Sequence, residues 1–134
     1  MRSFLTRTGG RLLLPSLFFF SCLFPSPGGA SPFTDDLGRV VDIPECPRRI
    51  VSLAPNLTEV LFALGLEDRI AGVTSYCDYP VEAREKTKIG GFIHFSLEKL
   101  VSLEPDLVLA TADGNRKETV LQIERLGVPL YVVN

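Results

Sequence analysis

Four aromatic residues, Tyr76, Tyr79, Phe92 and Phe95, fall in two short segments that also carry His94, and Asp113 lies in a third segment further on. Aromatic rings held on loops pack against large flat organic ligands, while an imidazole and a carboxylate add polar reach. Tyr79 and Phe95 are expected to turn inward and close the core, leaving Tyr76 and Phe92 exposed. This is recognition chemistry rather than bond-making chemistry. GxGxxG, the P-loop, GxSxG and CxxC patterns do not occur in the chain, so dinucleotide, phosphoryl-transfer, acyl-transfer and dithiol activities lack their usual residues. His94 with Asp78, Glu82 or Asp113 would offer ligand types suited to a metal. Nothing in their spacing favours one, and no metal ligands are assigned.

The elements that must position these loops follow from hydrophobic periodicity. Phe33–Ile43 reads as a hairpin, with Asp35, Asp36 and Gly38 supplying the turn. Apolar runs at 50–54, 70–74, 107–110 and 130–133 suit buried strands, and Ile89-Gly90-Gly91 suits a brief strand or extended loop. Between them, Leu57, Val60, Leu61 and Leu64 trace one helix face, with Asn56 and Glu59 as a capping box and Gly65 closing the helix. A short helix is predicted over Pro80–Lys86. Ser96 caps a further helix carrying Leu97, Leu100, Val101 and Leu103. Asn115 and Glu118 cap another, with Val120, Ile123 and Leu126 inward and Gly127 at its end. Strands alternating with short helices predict an α/β fold, a parallel sheet flanked by helices, with the N-terminal hairpin appended. In such sheets ligands lie beyond the carboxyl ends of the strands, where Pro55-Asn56, Ser75–Tyr79, Phe92–Phe95 and Thr111–Asn115 form the loops.

Length and charge narrow the function classes. The chain has 134 residues, 46% hydrophobic and 22% charged, with a formal net charge of −2. That allows one domain of modest size and gives no basic footprint for nucleic acid. Arg2, Arg7 and Arg11 precede the apolar stretch 12–24, and small residues surround Ala30, so residues 1–30 read as an export signal with cleavage after Ala30. Ser21-Cys22 also suits a lipoprotein signal, in which Cys22 would be acylated and anchor the protein to a membrane. Without the three signal arginines, the 14 basic residues fall to 11 against 16 acidic ones, leaving residues 31–134 acidic at −5. Cys46 and Cys77 are expected to remain separate thiols, since the strand assignment puts them at opposite ends of the sheet.

The segments RIVSLAPNLTEVLFALGL, GVTSYCDYP, FSLEKLVSLEPDLVLAT and ERLGVPLYVVN occur in that order. Together they resemble the N-terminal lobe of class III periplasmic binding proteins, which serve ABC importers of vitamin B12, ferric siderophores and haem. SYCDYP and LATADGN are most similar to the vitamin B12-binding branch. The resemblance spans roughly residues 34–134 and implies a Rossmann-like lobe with no catalytic activity and no resident cofactor. It implies a corrinoid ligand, with a ferric siderophore or haem as the alternative. By the same resemblance Pro55 and Asn56 approach the ligand and Tyr76 lines the cleft. Phe92 stands where the best-known members have Trp, and Thr111 stands where they have another aromatic. Glu98, at the start of the SLEKL helix, occupies the position that pairs with arginines on the permease subunits; from the residues alone it would simply favour a helix N-terminus. Family members have a second, C-terminal lobe beyond a long connecting helix, and this sequence holds one wall of the cleft. The expectation is therefore a fragment, a lobe completed by another chain, or a truncated lobe without function. One wall alone should bind weakly, because roughly half the ligand's buried area is lost.

Overall fold

The structure, a computed structural model, describes residues 29–115 and 117–134. Cys22 and most of the expected export signal lie outside the described residues. Strand β1 (Ala30–Thr34) pairs antiparallel with β2 (Val40–Pro44) to make the predicted hairpin. The expected cleavage point after Ala30 falls inside β1, where Ala30 stands opposite Pro44. The main sheet contains β3 (Ile50–Ser52), β4 (Ile70–Val73), β5 (Leu107–Thr111) and β6 (Leu130–Val133). Its helices are α1 (Pro55–Ala63), α2 (Leu97–Ser102) and α3 (Lys117–Arg125).

All pairings in the main sheet are parallel, in the order β4-β3-β5-β6. The chain steps one way from β3 to β4, then reverses across β3 to β5 and β6. Right-handed connections then place the helices on opposite faces. Leu61 of α1 packs with Ile50, Ile70, Val73 and Leu107 on one face. On the other face, Leu100 of α2 and Val120 and Ile123 of α3 pack with Val51, Val108, Ala110 and Val132. Adjacent strand residues thus serve opposite cores, as the two-residue strand period requires. Leu100 and Ile123 are fully buried, and such burial contributes roughly 1.5–3 kcal/mol per side chain.

The helices sit differently on the sheet than their apolar spacing predicts. Pro55 occupies the first turn of α1 and Ala54 its N-cap, with no side-chain cap, so Asn56 is not the predicted capping residue. A proline there needs no N–H partner and has its φ preset for the helix, which lets the chain enter two residues earlier. Leu57, Thr58 and Leu61 are buried, whereas Val60 and Leu64 are exposed. The buried face therefore includes a hydroxyl in place of a predicted valine. Leu126, expected inward, is exposed, and so is Val101 on α2. The predicted helix at Pro80–Lys86 is a 3-10 turn over Val81–Glu85. Gly65 and Gly127 adopt positive φ just past α1 and α3, as the predicted helix ends require. Ser96 accepts a hydrogen bond from the Lys99 amide at 3.2 Å, the predicted cap of α2.

The hairpin is fastened to β6 through its turn. Asp35 is 4% exposed. Its Oδ1 accepts hydrogen bonds from the Leu37 and Arg39 amides at 3.0 and 2.9 Å. Its Oδ2 accepts one from Arg39 Nε at 2.9 Å and one from the Val132 amide at 3.4 Å. Arg39 also pairs with Glu124 on α3, and the Asp36 amide donates to Val132 O at 3.1 Å. Burial alone would raise the Asp35 carboxyl, but the Arg39 side chain, the Arg39 amide and the Val132 amide outweigh it and hold the pKa below its ordinary value.

A carboxyl whose pKa is depressed on folding contributes stability above the unfolded value, about 3.9, and loses it as pH falls through the folded value. Acid titration should therefore destabilise the domain below about pH 4. Asp35→Asn should cost about 2 kcal/mol at neutral pH and remove part of that acid sensitivity, as read by urea unfolding at pH 7 and pH 3.5. Equal stability of the two proteins at pH 7 would remove Asp35 as the anchor.

Candidate ligand-binding site

The reversal of chain direction separates the connections leaving β3 and β5, and open α/β sheets bind ligands at that point. Three loops converge there. The first is the β3–α1 junction at Pro55. The second leaves β4 and carries Tyr76. The third is a tight turn at 90–95 with Phe92 and Ile93 at its tip, closed by a hydrogen bond from the Gly91 amide to His94 O at 2.9 Å and by a bridge between Gly90 and Phe95. Gly90 has φ +126° and a side chain there would lie 2.8 Å from Phe95 Cα, so only glycine permits this turn.

Pro55, Tyr76, Gly91, Phe92, Ile93 and His94 line a hollow of about 550 Å³ between these loops. Tyr76 is 65% exposed, and its ring stands over Gly91, where an added methyl group would be 3.8 Å from Cε2. Phe92 is half-buried, His94 and Ile93 are exposed, and the lining is chiefly aromatic and aliphatic. Such a surface is suited to burying the face of a large ligand.

A buried polar group under the hollow fixes the Pro55 and Tyr76 backbones. Thr58, on the first turn of α1, places Oγ1 2.9 Å from Ser52 Oγ on β3 and 3.1 Å from Cys77 Sγ. Thr74 Oγ1 lies 3.2 Å from the same sulfur, and Ser52 Oγ donates to Ala54 O at 3.0 Å. These four side chains are fully buried. A hydroxyl donates one hydrogen bond and accepts others, so the group satisfies its members only as a connected set. Lys88 closes the loop from outside, donating from Nζ to Cys77 O at 2.7 Å and Ala83 O at 2.8 Å. The Ser75 amide donates to Gly90 O at 2.7 Å and ties the second loop to the third.

The expected site residues divide into two groups. Pro55, Tyr76 and Phe92 come together on the hollow, joined by His94. Asn56 is exposed beside Pro55 on α1. Thr111 lies at the end of β5 and lines a separate hollow with Leu37, Arg39 and Asn115. Asp113 is exposed on the turn after β5. Phe95 packs against the core as expected. Tyr79 does not turn inward; it is 68% exposed, and the buried side chains of its segment are those of Cys77 and Ala83. Ile93 also lines the hollow; it lies inside the expected Phe92–Phe95 loop, where no ring or charge marks it out. The Asn115 side chain accepts from the Thr111 amide at 3.0 Å and donates to Phe92 O at 3.3 Å. Glu98 is exposed in the first turn of α2, beside a shallow hollow that includes Leu97, Val101 and Arg125.

Cys46 is exposed and Cys77 buried, and both are free thiols, as their placement predicts. Among the described residues, no cluster of three or more His, Cys, Asp or Glu side chains is placed to hold a metal ion. Among them, too, no helix is long and apolar enough to cross a membrane.

Residues 50–134 match the family model for periplasmic binding proteins. A vitamin B12-binding protein of Vibrio parahaemolyticus is 40% identical over 83 residues, covering 62% of this chain and 30% of that protein. Among solved structures, the periplasmic vitamin B12-binding protein of Vibrio cholerae superposes with TM-score 0.61 and 36% identity, over 64% of this chain and 34% of that one. The periplasmic haem-binding protein of Roseiflexus sp. RS-1 superposes with TM-score 0.60 and 38% identity, over 66% of this chain and 34% of that one. This chain thus spans about a third of the length of these relatives. It belongs to the periplasmic binding protein family, and its sheet and hairpin form the N-terminal lobe of that fold.

Thr58→Val removes the hydroxyl between Ser52 and Cys77 while keeping the shape of the side chain. It should lower the unfolding free energy by about 1–2 kcal/mol, measured by urea denaturation. A variant as stable as the parent would show that the buried group does not hold the two loops.

Proposed function

We propose that this chain forms one wall of the ligand cleft of an extracytoplasmic solute-binding protein that serves an ABC importer, and that the ligand is a corrinoid of the vitamin B12 type. The observation that carries the reading is the apolar hollow at the sheet's reversal point, with Tyr76 and Phe92 presenting rings from separate loops. Membership of the periplasmic binding protein family supports both the location and the export. The named vitamin B12 relatives support the ligand class. The protein's task is recognition and delivery: no substrate is converted, and the cobalt centre belongs to the cargo.

A second ligand reading, haem, is favoured by His94, whose imidazole shares the hollow with the two rings, and by the haem-binding neighbour. Imidazole is a common axial ligand of haem iron. Tyr76→Ala and Phe92→Ala should each weaken binding of the preferred ligand about tenfold, or about 1.4 kcal/mol, in parallel titrations with cyanocobalamin and haem. Under the corrinoid reading, cyanocobalamin binds more tightly and His94→Ala changes little. Under the haem reading, the Soret band shifts on binding and His94→Ala abolishes the shift. Unaltered affinity for both ligands in both aromatic variants would remove the hollow as the site.

The partner surface is assigned to Glu98. Its carboxylate is exposed on the first turn of α2, and the acidity of residues 31–134 suits a basic partner. Glu98→Arg should abolish stimulation of the importer's ATPase in proteoliposomes while leaving ligand affinity unchanged. Normal stimulation by this variant would place docking elsewhere.

A further inference from the structure

Phe92 sits at the tip of a two-residue turn, and a ring so placed would normally be free to swing. Two features on the turn after β5 restrain it. A methyl group added to Gly114 would lie 1.8 Å from Phe92 Cζ, 2.4 Å from Cε1 and 2.9 Å from Cε2. The ring therefore occupies the space a side chain at position 114 would fill. Among the described residues the glycines with positive φ are Gly38, Gly65, Gly90 and Gly127, and Gly114 is not one of them. Its backbone would accept alanine, so the requirement for glycine comes from the ring and not from the turn. The neighbouring Asn115 is 8% exposed and uses both ends of its amide. Oδ1 accepts from the Thr111 amide at 3.0 Å, which ties it to β5, and Nδ2 donates to Phe92 O at 3.3 Å.

We propose that Gly114 and Asn115 are positioning residues for the ligand hollow, holding Phe92 against the β5 turn, and that the side chain at position 114 determines how large a flat ligand the hollow admits. The binding consequence rests on the ligand-site reading above, whereas the steric coupling between positions 114 and 92 does not. With alanine at 114 the ring must leave its seat, and because Phe92 itself lines the hollow with Pro55, Tyr76 and His94, its displacement reshapes that wall. A ligand large enough to span the hollow loses contact first.

The experiment uses the full chain with Gly114→Ala, Phe92→Leu, the double variant and Asn115→Asp. Thermal unfolding is read for all four, and cyanocobalamin is titrated well below the melting temperature. Gly114→Ala alone should lower Tm by several degrees and weaken cyanocobalamin binding about tenfold. In the Phe92→Leu background, which lacks the distal ring atoms, the same substitution should change neither value appreciably. That non-additivity is the signature of direct contact. Asn115→Asp keeps an acceptor for the Thr111 amide but sets a buried carboxylate oxygen against Phe92 O in place of the donor, and it should both lower Tm and weaken binding. Equal Tm losses from Gly114→Ala in both backgrounds would overturn the proposal, since the glycine would then serve the turn. Should the chain bind no cyanocobalamin, the ligand-site reading fails for that ligand, while the Tm coupling still decides whether Gly114 seats Phe92.

Discussion

The reversal of chain direction between β4 and β5 is the constraint from which the site follows. Because β5 pairs with β3 on the side away from β4, the connections after β3 and β5 must depart over opposite faces of the sheet. Neither helix can then cover the carboxyl ends of the two central strands. That gap is left to loops, and the loops in this chain carry rings. The same sheet with its strands in sequential order would place every helix on one face and leave no such opening.

Loops carrying exposed aromatics lose affinity if they must be ordered at the moment of binding. Here the ordering is done beforehand, by different means on each side of the hollow. Beneath Pro55 and Tyr76 it is polar, with Ser52, Thr58, Thr74 and Cys77 satisfying one another out of water and Lys88 fastening the loop from outside. Beneath Phe92 it is steric, with an absent side chain at Gly114 and a bridging amide at Asn115. The hairpin fastening at Asp35 lies on the far side of β5 and braces the end of β6.

Much of this was legible in the sequence, for physical reasons that also mark where legibility stops. The four parallel strands announce themselves because a strand buried on both faces must be apolar throughout. The ends of α1 and α3 were visible in Gly65 and Gly127, and the cap of α2 in Ser96. Helix rotation was not, since Val60 and Thr58 differ little in shape and only the buried hydroxyl partners at Ser52 and Cys77 decide which one faces inward. Asn115 satisfied the local rule for a cap, and its side chain bonds across 23 residues of sequence to Phe92, which no local pattern reveals. Tyr76 and Phe92 were identifiable as a pair, since the strand ends place both loops at one edge. Thr111 was carried to the site by resemblance alone, and it faces another hollow. Local rules therefore located the edge at which binding would occur, while long-range contacts determined which side chains share it.

The central claim is that ligand recognition occurs at the hollow between the β3, β4 and 90–95 loops. An amide-resolved NMR titration of the chain with cyanocobalamin, repeated with haem, tests it most directly. For the bound ligand, the account predicts shift changes concentrated at residues 54–56, 75–77 and 91–95, with little change along β1 and β2. Changes centred on the hairpin or on the α2–α3 surface, or no changes with either ligand, would contradict it.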